Sequence, residues 1–276
     1  MPNHTPVPNR FKGKVAIVTG GANGIGLAIV EQLCLEGAQV VFSDLSAEDG
    51  EARASALSQA GHDVRFIQGD MGDEAFCAAL VDGAVQAYGR VDLLVNNAFA
   101  FVAASLEAKT SEWQTSYFVG PVGFARMIQN ATPHMAKAGG GAVVNIGSIS
   151  GHIAQKDRWT YNMSKGAVDQ LTKCAALDVA EHGIRVNSIS PGWIWSREVL
   201  NAANADGGGR EKYEPIWGAY HMLRRCGETV EVARATLFLL SDDASFITGT
   251  DLPVDGGYLS MGPEGIGQAG LVVGGQ

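Results

Sequence analysis

Along the chain, unbroken apolar runs of strand length alternate with longer stretches whose apolar residues recur at helical spacing. "KVAIVTG" is followed by "GIGLAIVEQLCLEG", "AQVVFSD" by "SAEDGEARASALSQAG", and "DVRFIQGD" by "DEAFCAALVDGAVQAYG"; "VDLLVNNA", "GAVVNIGS", "IRVNSISPG" and "TDLPVDGG" complete the series. Strands apolar on both faces are strands covered on both faces, and the spacers are long enough for right-handed crossovers. The pattern predicts an α/β fold, a single doubly wound parallel sheet of Rossmann type with helices on both faces.

No repeat, charge run or Ser/Pro-rich linker interrupts the alternation between about Lys14 and Gly257, so no domain boundary falls inside it. The division is a flexible leader at 1–10, one domain at 11–258 and a Gly-rich tail at 259–276. Residues 193–226 are rich in aromatic, Gly and charged residues without a clean strand, and read as a substrate lid. In the tail, Leu271 to Val273 have the apolar character to dock on a groove or a neighbouring subunit.

The composition changes this picture little: 46% hydrophobic residues, 18% charged and 36 glycines in 276 residues suit a large core with many tight turns. The charge narrows the partners. A net charge of −9 repels phosphate backbones and anionic lipid, so nucleic acid and membrane are poor partners, and a small-molecule substrate is expected. No run of about 18 apolar residues appears, and the N-terminus has no apolar core of a signal peptide, which points to a cytoplasmic protein. Cys34, Cys77, Cys174 and Cys226 are widely spaced and expected as free buried thiols; the scattered histidines give no metal site.

"TGGANGIG", Thr19 to Gly26, follows the first strand and opens the first helix. Gly20, Gly24 and Gly26 clear side chains from backbone that must approach a pyrophosphate, and the helix N-terminus offers free N–H groups and a positive dipole. Asn23 and Ile25 lie within the same turn. Asp44 ends the second strand 18 residues past Gly26, where an acid accepts hydrogen bonds from ribose hydroxyls, with Leu45 beside it. No Arg or Lys in the turn or directly after Asp44 offsets its repulsion of a 2′-phosphate, so NAD is expected over NADP.

In "YNMSK", Tyr161 precedes Lys165 by one helical turn, which places both on one face. A phenol held this way is a candidate acid or base. Tyrosine, with a reference pKa of about 10, serves near neutrality only if its phenolate is stabilised, and Lys165 is the cation at hand. Ser148, at the end of "GAVVNIGS", is placed to hydrogen-bond an oxyanion.

The glycine turn, Asp44, "NNA" at Asn96 to Ala98, Ser148 thirteen residues before Tyr161, and Lys165 four beyond it together resemble the short-chain dehydrogenase/reductase family, over about Phe11 to Tyr258. The resemblance implies a nicotinamide-dependent enzyme, a homo-tetramer or dimer. It implies that Asp70 and Met71 contact adenine, that Asn97 and Ala98 line the ribose, and that Pro191, Gly192, Ile194 and Ser196 close over the nicotinamide.

Two departures from the family pattern stand out. Phe99 replaces the usual glycine after "NNA", and Gly120 stands where a helix normally carries an asparagine that positions a water beside the lysine. Gly120-Pro121 predicts a helix distortion with a water-filled gap, and Ser116, one turn earlier, is the nearest residue to help hold that water. On the substrate side Phe99, Gln155, Arg158, Trp193 and Trp195 are the candidates, with His152, Trp159, Arg197, Tyr213, Trp217 and Tyr220 nearby; aromatic faces suit a sugar or other ring, and an Arg an anionic substituent. Three functions compete: an NAD-dependent dehydrogenase of a secondary alcohol, sugar or cyclic diol, an NADH-dependent reductase or epimerase, and a non-catalytic NAD sensor.

Overall fold

The computed structural model describes residues 5–266, and the Leu271 to Val273 segment lies outside them. Seven parallel strands form one sheet: β1 (Val15–Thr19), β2 (Gln39–Asp44), β3 (Val64–Gln68), β4 (Leu93–Asn96), β5 (Gly141–Ile146), β6 (Ile184–Pro191) and β7 (Asp251–Val254). Their spatial order is β3-β2-β1-β4-β5-β6-β7. The chain therefore builds outward from β1 in one direction, then crosses back and builds from β4 in the other. Ligand sites in such sheets lie beyond the carboxyl ends of the strands at this reversal.

Nine α-helices cover the sheet or form the lid among the described residues: α1 (Gly24–Leu35), α2 (Ala47–Gln59), α3 (Glu74–Tyr88), α4 (Thr110–Tyr117), α5 (Gly123–Lys137), α6 (Trp159–Val179), α7 (Arg197–Asn204), α8 (Gly209–Gly218) and α9 (Thr229–Leu240). Strand alternation divides the core in two. Ala16, Val18, Val40, Phe42 and Val95 join Ile29 and Leu33 of α1 and Leu237 of α9 on one face. Ile17, Val41, Leu94 and Val143 join Leu80 of α3 and Met127 of α5 on the other. Successive residues of β1 serve opposite cores because side chains alternate along a strand, which is why the run "VAIVT" has no polar face and is wholly buried.

The leader is partly tied down, with the Val7 N–H donating to Glu36 at 3.1 Å and Arg10 pairing with the same carboxylate at 2.5 Å. The lid segment forms α7 and α8. Between α4 and α5 the predicted distortion is present: residues 118–122 form a widened turn, with Gly120 at φ −80°, ψ −113° ahead of Pro121. Cys34, Cys77 and Cys226 are buried free thiols; Cys174 is exposed, a correction to the expectation that all four are inside.

Candidate active site

A cleft of about 610 Å³ opens over the ends of β1, β2, β4, β5 and β6. At one end lies the glycine turn. Gly24 is left-handed, φ +57°, and a Cβ at Gly26 would stand 2.0 Å from the Gly20 carbonyl oxygen, so the turn closes only without side chains. The first turn of α1 has no side-chain cap and no acid of its own, which leaves its first N–H groups without helical partners. Asn97 braces the turn by donating from its amide to the Thr19 and Gly20 carbonyls at 3.0 and 2.9 Å. Asp44 accepts from the Ala22 and Ser46 N–H groups at 3.1 and 3.2 Å, which fixes its carboxylate at the cleft edge.

These features form a cradle that fits a dinucleotide: side-chain-free backbone at a helix N-terminus and an oriented acid at the next strand end. Gly20, Asn23, Gly24, Ile25, Asp44, Leu45, Asp70, Met71, Asn97, Ala98, Pro191, Gly192, Ile194 and Ser196 all line the same cleft. Gly26 lies behind the turn, where its role is close packing. The Ser196 hydroxyl also caps α7, accepting from Val199 at 3.4 Å. Sequence reasoning missed Glu198, which lines the cleft beside Gly24. It also missed that the lid brings Arg197 near Asp44, although Arg197 is paired with Asp49 at 2.9 Å.

At the other end, Ser148, Tyr161 and Lys165 meet. Thr160 explains the placement of the aromatic loop against them: its hydroxyl donates to Val102 O at 2.5 Å and accepts from the Ala104 N–H at 3.0 Å, drawing residues 99–104 onto the start of α6. Tyr161 then packs edge-on to Phe99 with centroids 5.4 Å apart, and tilted to Phe101 at 4.8 Å. Burial raises the Tyr161 pKa; a hydrogen bond from Ser148 and the charge of Arg158 oppose that rise. Arg158 thus opposes the rise, and Lys165 Nζ lies 5.8 Å from the centroid of the same ring.

Lys165 is 3% exposed and donates to Ile146 O at 2.9 Å. Burial lowers its pKa to about 7, with Asp169 pulling the other way. The Gly120 gap expected to hold water is instead filled: a Cβ at Gly120 would stand 2.5 Å from Phe99 Cε2, and the same ring lies 3.8 Å from Lys165 Nζ. The two departures from the family pattern are thus one feature, an aromatic ring in the space an asparagine would need. Ser116, expected to help hold that water, is bonded to α6. It bonds Thr160 O at 3.2 Å and the Ser164 hydroxyl at 3.0 Å.

On the substrate side, Phe99, Gln155, Arg158 and Trp193 line the cleft, joined by Phe101 and Trp217. Trp195 is a correction. Its indole N–H donates to Glu214 at 2.5 Å and its ring carries Arg210 at 5.0 Å, so it ties α8 to the segment between β6 and α7 and is not among the cleft's lining residues. Tyr213 likewise stacks on Trp217 at 4.4 Å. His152 points elsewhere, to Asp251 at 3.1 Å and Asp169 at 3.4 Å. Sequence spacing held no hint of that cluster, because the three residues come from a loop, a helix and the last strand; burial, then Asp251, pushes Asp169 up to about 6.

A family model described as enoyl-(acyl carrier protein) reductase matches residues 20–259. Among curated proteins, L-fucose dehydrogenase of Mus musculus is 40% identical over 90% of this chain and 89% of its own. Cis-4-hydroxycyclohexanecarboxylate dehydrogenase of Sinomonas cyclohexanicum is 38% identical over 91% of this chain and 98% of its own. The NADP-dependent (R)-specific alcohol dehydrogenase of Lentilactobacillus kefiri is 38% identical over 92% of this chain and 99% of its own.

Proposed function

The chain belongs to the short-chain dehydrogenase/reductase family and is an oxidoreductase acting on CH–OH groups; from that premise we propose that it oxidises a secondary alcohol carried on a sugar or another ring, using NAD. The observation that carries this reading is the meeting of Ser148, Tyr161 and Lys165 in the same cleft as the glycine turn and Asp44. The relatives named above act on a sugar, a ring hydroxy acid and an alcohol, which supports a hydroxyl-bearing substrate.

The nicotinamide, when bound, accepts the hydride and brings positive charge to the site. Tyr161 takes the hydroxyl proton, and Ser148 hydrogen-bonds the substrate oxygen while orienting the phenol. Phe99 and Phe101 pack against the Tyr161 ring and hold its orientation. In the reductive direction the same groups act in reverse, with Tyr161 as the acid. Asp44 supports NAD over NADP, since a 2′-phosphate would meet its carboxylate while the nearby Arg197 is engaged by Asp49. The unpaired cysteines suit a reducing, cytoplasmic setting. The exposed Leu177, Phe238 and Phe246 suit a homo-oligomer. No helix among the described residues is long and apolar enough to cross a membrane.

The test is NADH formation over a panel of cyclic alcohols, cyclic diols and sugars, by wild type and Tyr161→Phe. Turnover by the wild type and less than about one-tenth of it in the variant is expected, since acid/base catalysis contributes about 10² to 10⁴. Comparable rates in the two proteins would reject Tyr161 as the base. A sensor of NAD alone would turn over nothing while binding NADH.

A further inference from the structure

The charge of the cleft is divided between its ends. Asp44, Asp70 and Glu198, its lining carboxylates, all lie toward the glycine turn. The substrate end contains no carboxylate; of its two lining cations, Lys165 is almost fully buried with its Nζ 3.8 Å from the Phe99 centroid, and Arg158 is the more open. Arg158 forms no ion pair among the described residues. Its guanidinium carbon lies 5.7 Å from the Phe101 centroid and 5.9 Å from that of Trp193, so two aromatic groups hold it in place without neutralising it.

A second donor stands in the same wall. The Gln155 carbonyl oxygen accepts from the Ser150 hydroxyl at 2.7 Å, which leaves the amide NH₂ to donate elsewhere. Ser150 in turn donates its N–H to Ser148 Oγ at 3.1 Å, so Gln155 is chained to the catalytic serine and held in register with the reacting carbon. Beside these donors, in the same cleft, lie Phe99, Phe101, and Trp193 stacked on Trp217 at 4.8 Å. Flat apolar faces receive a ring; a guanidinium fork with an amide N–H receives a carboxylate. A phosphate dianion would call for more cations than this wall offers.

Resting on the dehydrogenase reading above, we infer that the substrate is a ring-bearing hydroxy acid whose carboxylate is bound by Arg158 and Gln155 while its hydroxyl meets Tyr161 and Ser148. Arg158 is then a specificity-determining residue. Its place directly before α6 links recognition of the acid to the helix that carries the base.

The experiment is calorimetric titration of the NADH-saturated protein with cyclohexanecarboxylate and with cyclohexanecarboxamide, which share a ring but differ in charge. The carboxylate is expected to bind at least tenfold more tightly. In Arg158→Ala, checked for fold by circular dichroism, the ratio should fall to about one, and Arg158→Lys should retain part of it. Equal binding of the two probes, no binding of either, or a ratio unchanged in Arg158→Ala overturns the inference. NADH formation from uncharged cyclohexanol, lost in Tyr161→Phe, together with equal binding of the probes would leave the dehydrogenase reading standing while removing the carboxylate. A tenfold ratio with no loss of turnover in Tyr161→Phe would do the reverse.

Discussion

The ring of Phe99 lies face-on to the ammonium of Lys165, with Nζ 3.8 Å from the ring centroid, in space left open by the missing side chain of Gly120. A cation over an aromatic face gains about 0.5 to 2 kcal/mol, the more when desolvated, and Lys165 is almost fully buried. Phe99→Gly should therefore lower stability by about 2 to 3 kcal/mol, below the ~3–5 kcal/mol of a fully buried Phe→Ala. Gly120→Asn should also destabilise, because its Cβ would meet Phe99 at 2.5 Å. The double variant is expected to be more stable than the sum of the two losses implies. Urea unfolding in a double-mutant cycle measures this, and additive losses would show that the two positions are independent.

For the cofactor, NAD should exceed NADP by at least tenfold in kcat/KM, equivalent to about 1.4 kcal/mol. Asp44→Ala should shrink that ratio, with Arg197 still held by Asp49. Equal use of both cofactors by the wild type would remove Asp44 as the discriminator.

The charge of Arg158 lowers the Tyr161 pKa against the rise caused by burial. A base works when deprotonated, so oxidation rises with pH through that pKa. Arg158→Ala raises the pKa and should move the acidic limb of kcat/KM, measured with an uncharged alcohol, to higher pH; Arg158→Lys should largely keep it in place. A fall in rate with no movement of the limb would mean that Arg158 acts on binding alone.

Lys165 has its pKa lowered to about 7 by burial, against about 10.4 in an unfolded chain. Between those values the unfolded chain binds a proton that the folded one releases, so this group's contribution to stability grows as pH rises from about 7 to about 10 and is lost as pH falls back. The slope approaches about 1.4 kcal/mol per unit in the middle of that window. Lys165→Met should abolish this part of the slope and raise the melting temperature at pH 7 while removing turnover. An identical pH dependence of unfolding in wild type and variant would contradict it.

The sheet was legible because strands buried on both faces must read as apolar runs, and all seven such runs became strands. Ser148, Tyr161 and Lys165 were legible because helical spacing places two of them on one face and a strand end delivers the third. The meeting of Phe99 with Gly120 was not, since both lie in irregular segments whose side-chain directions follow no period. Only the bonds of Thr160 to Val102 and Ala104 show why the ring turns inward. Trp195 misled for the same reason: an aromatic residue in a lid has two sides, and Glu214 decides which one it uses.

The placement of β1 also governs how the chain must assemble as it is made. One edge of β1 pairs with β2, which follows at once, but the other pairs with β4, Ala16 against Leu93, and the Val15 N–H waits for Asp92. Until roughly a third of the polypeptide has emerged, the strand bearing the phosphate cradle carries a bare apolar edge, and pairing at that separation is slow. A truncated chain ending before β4 is therefore expected to aggregate more readily than the full chain.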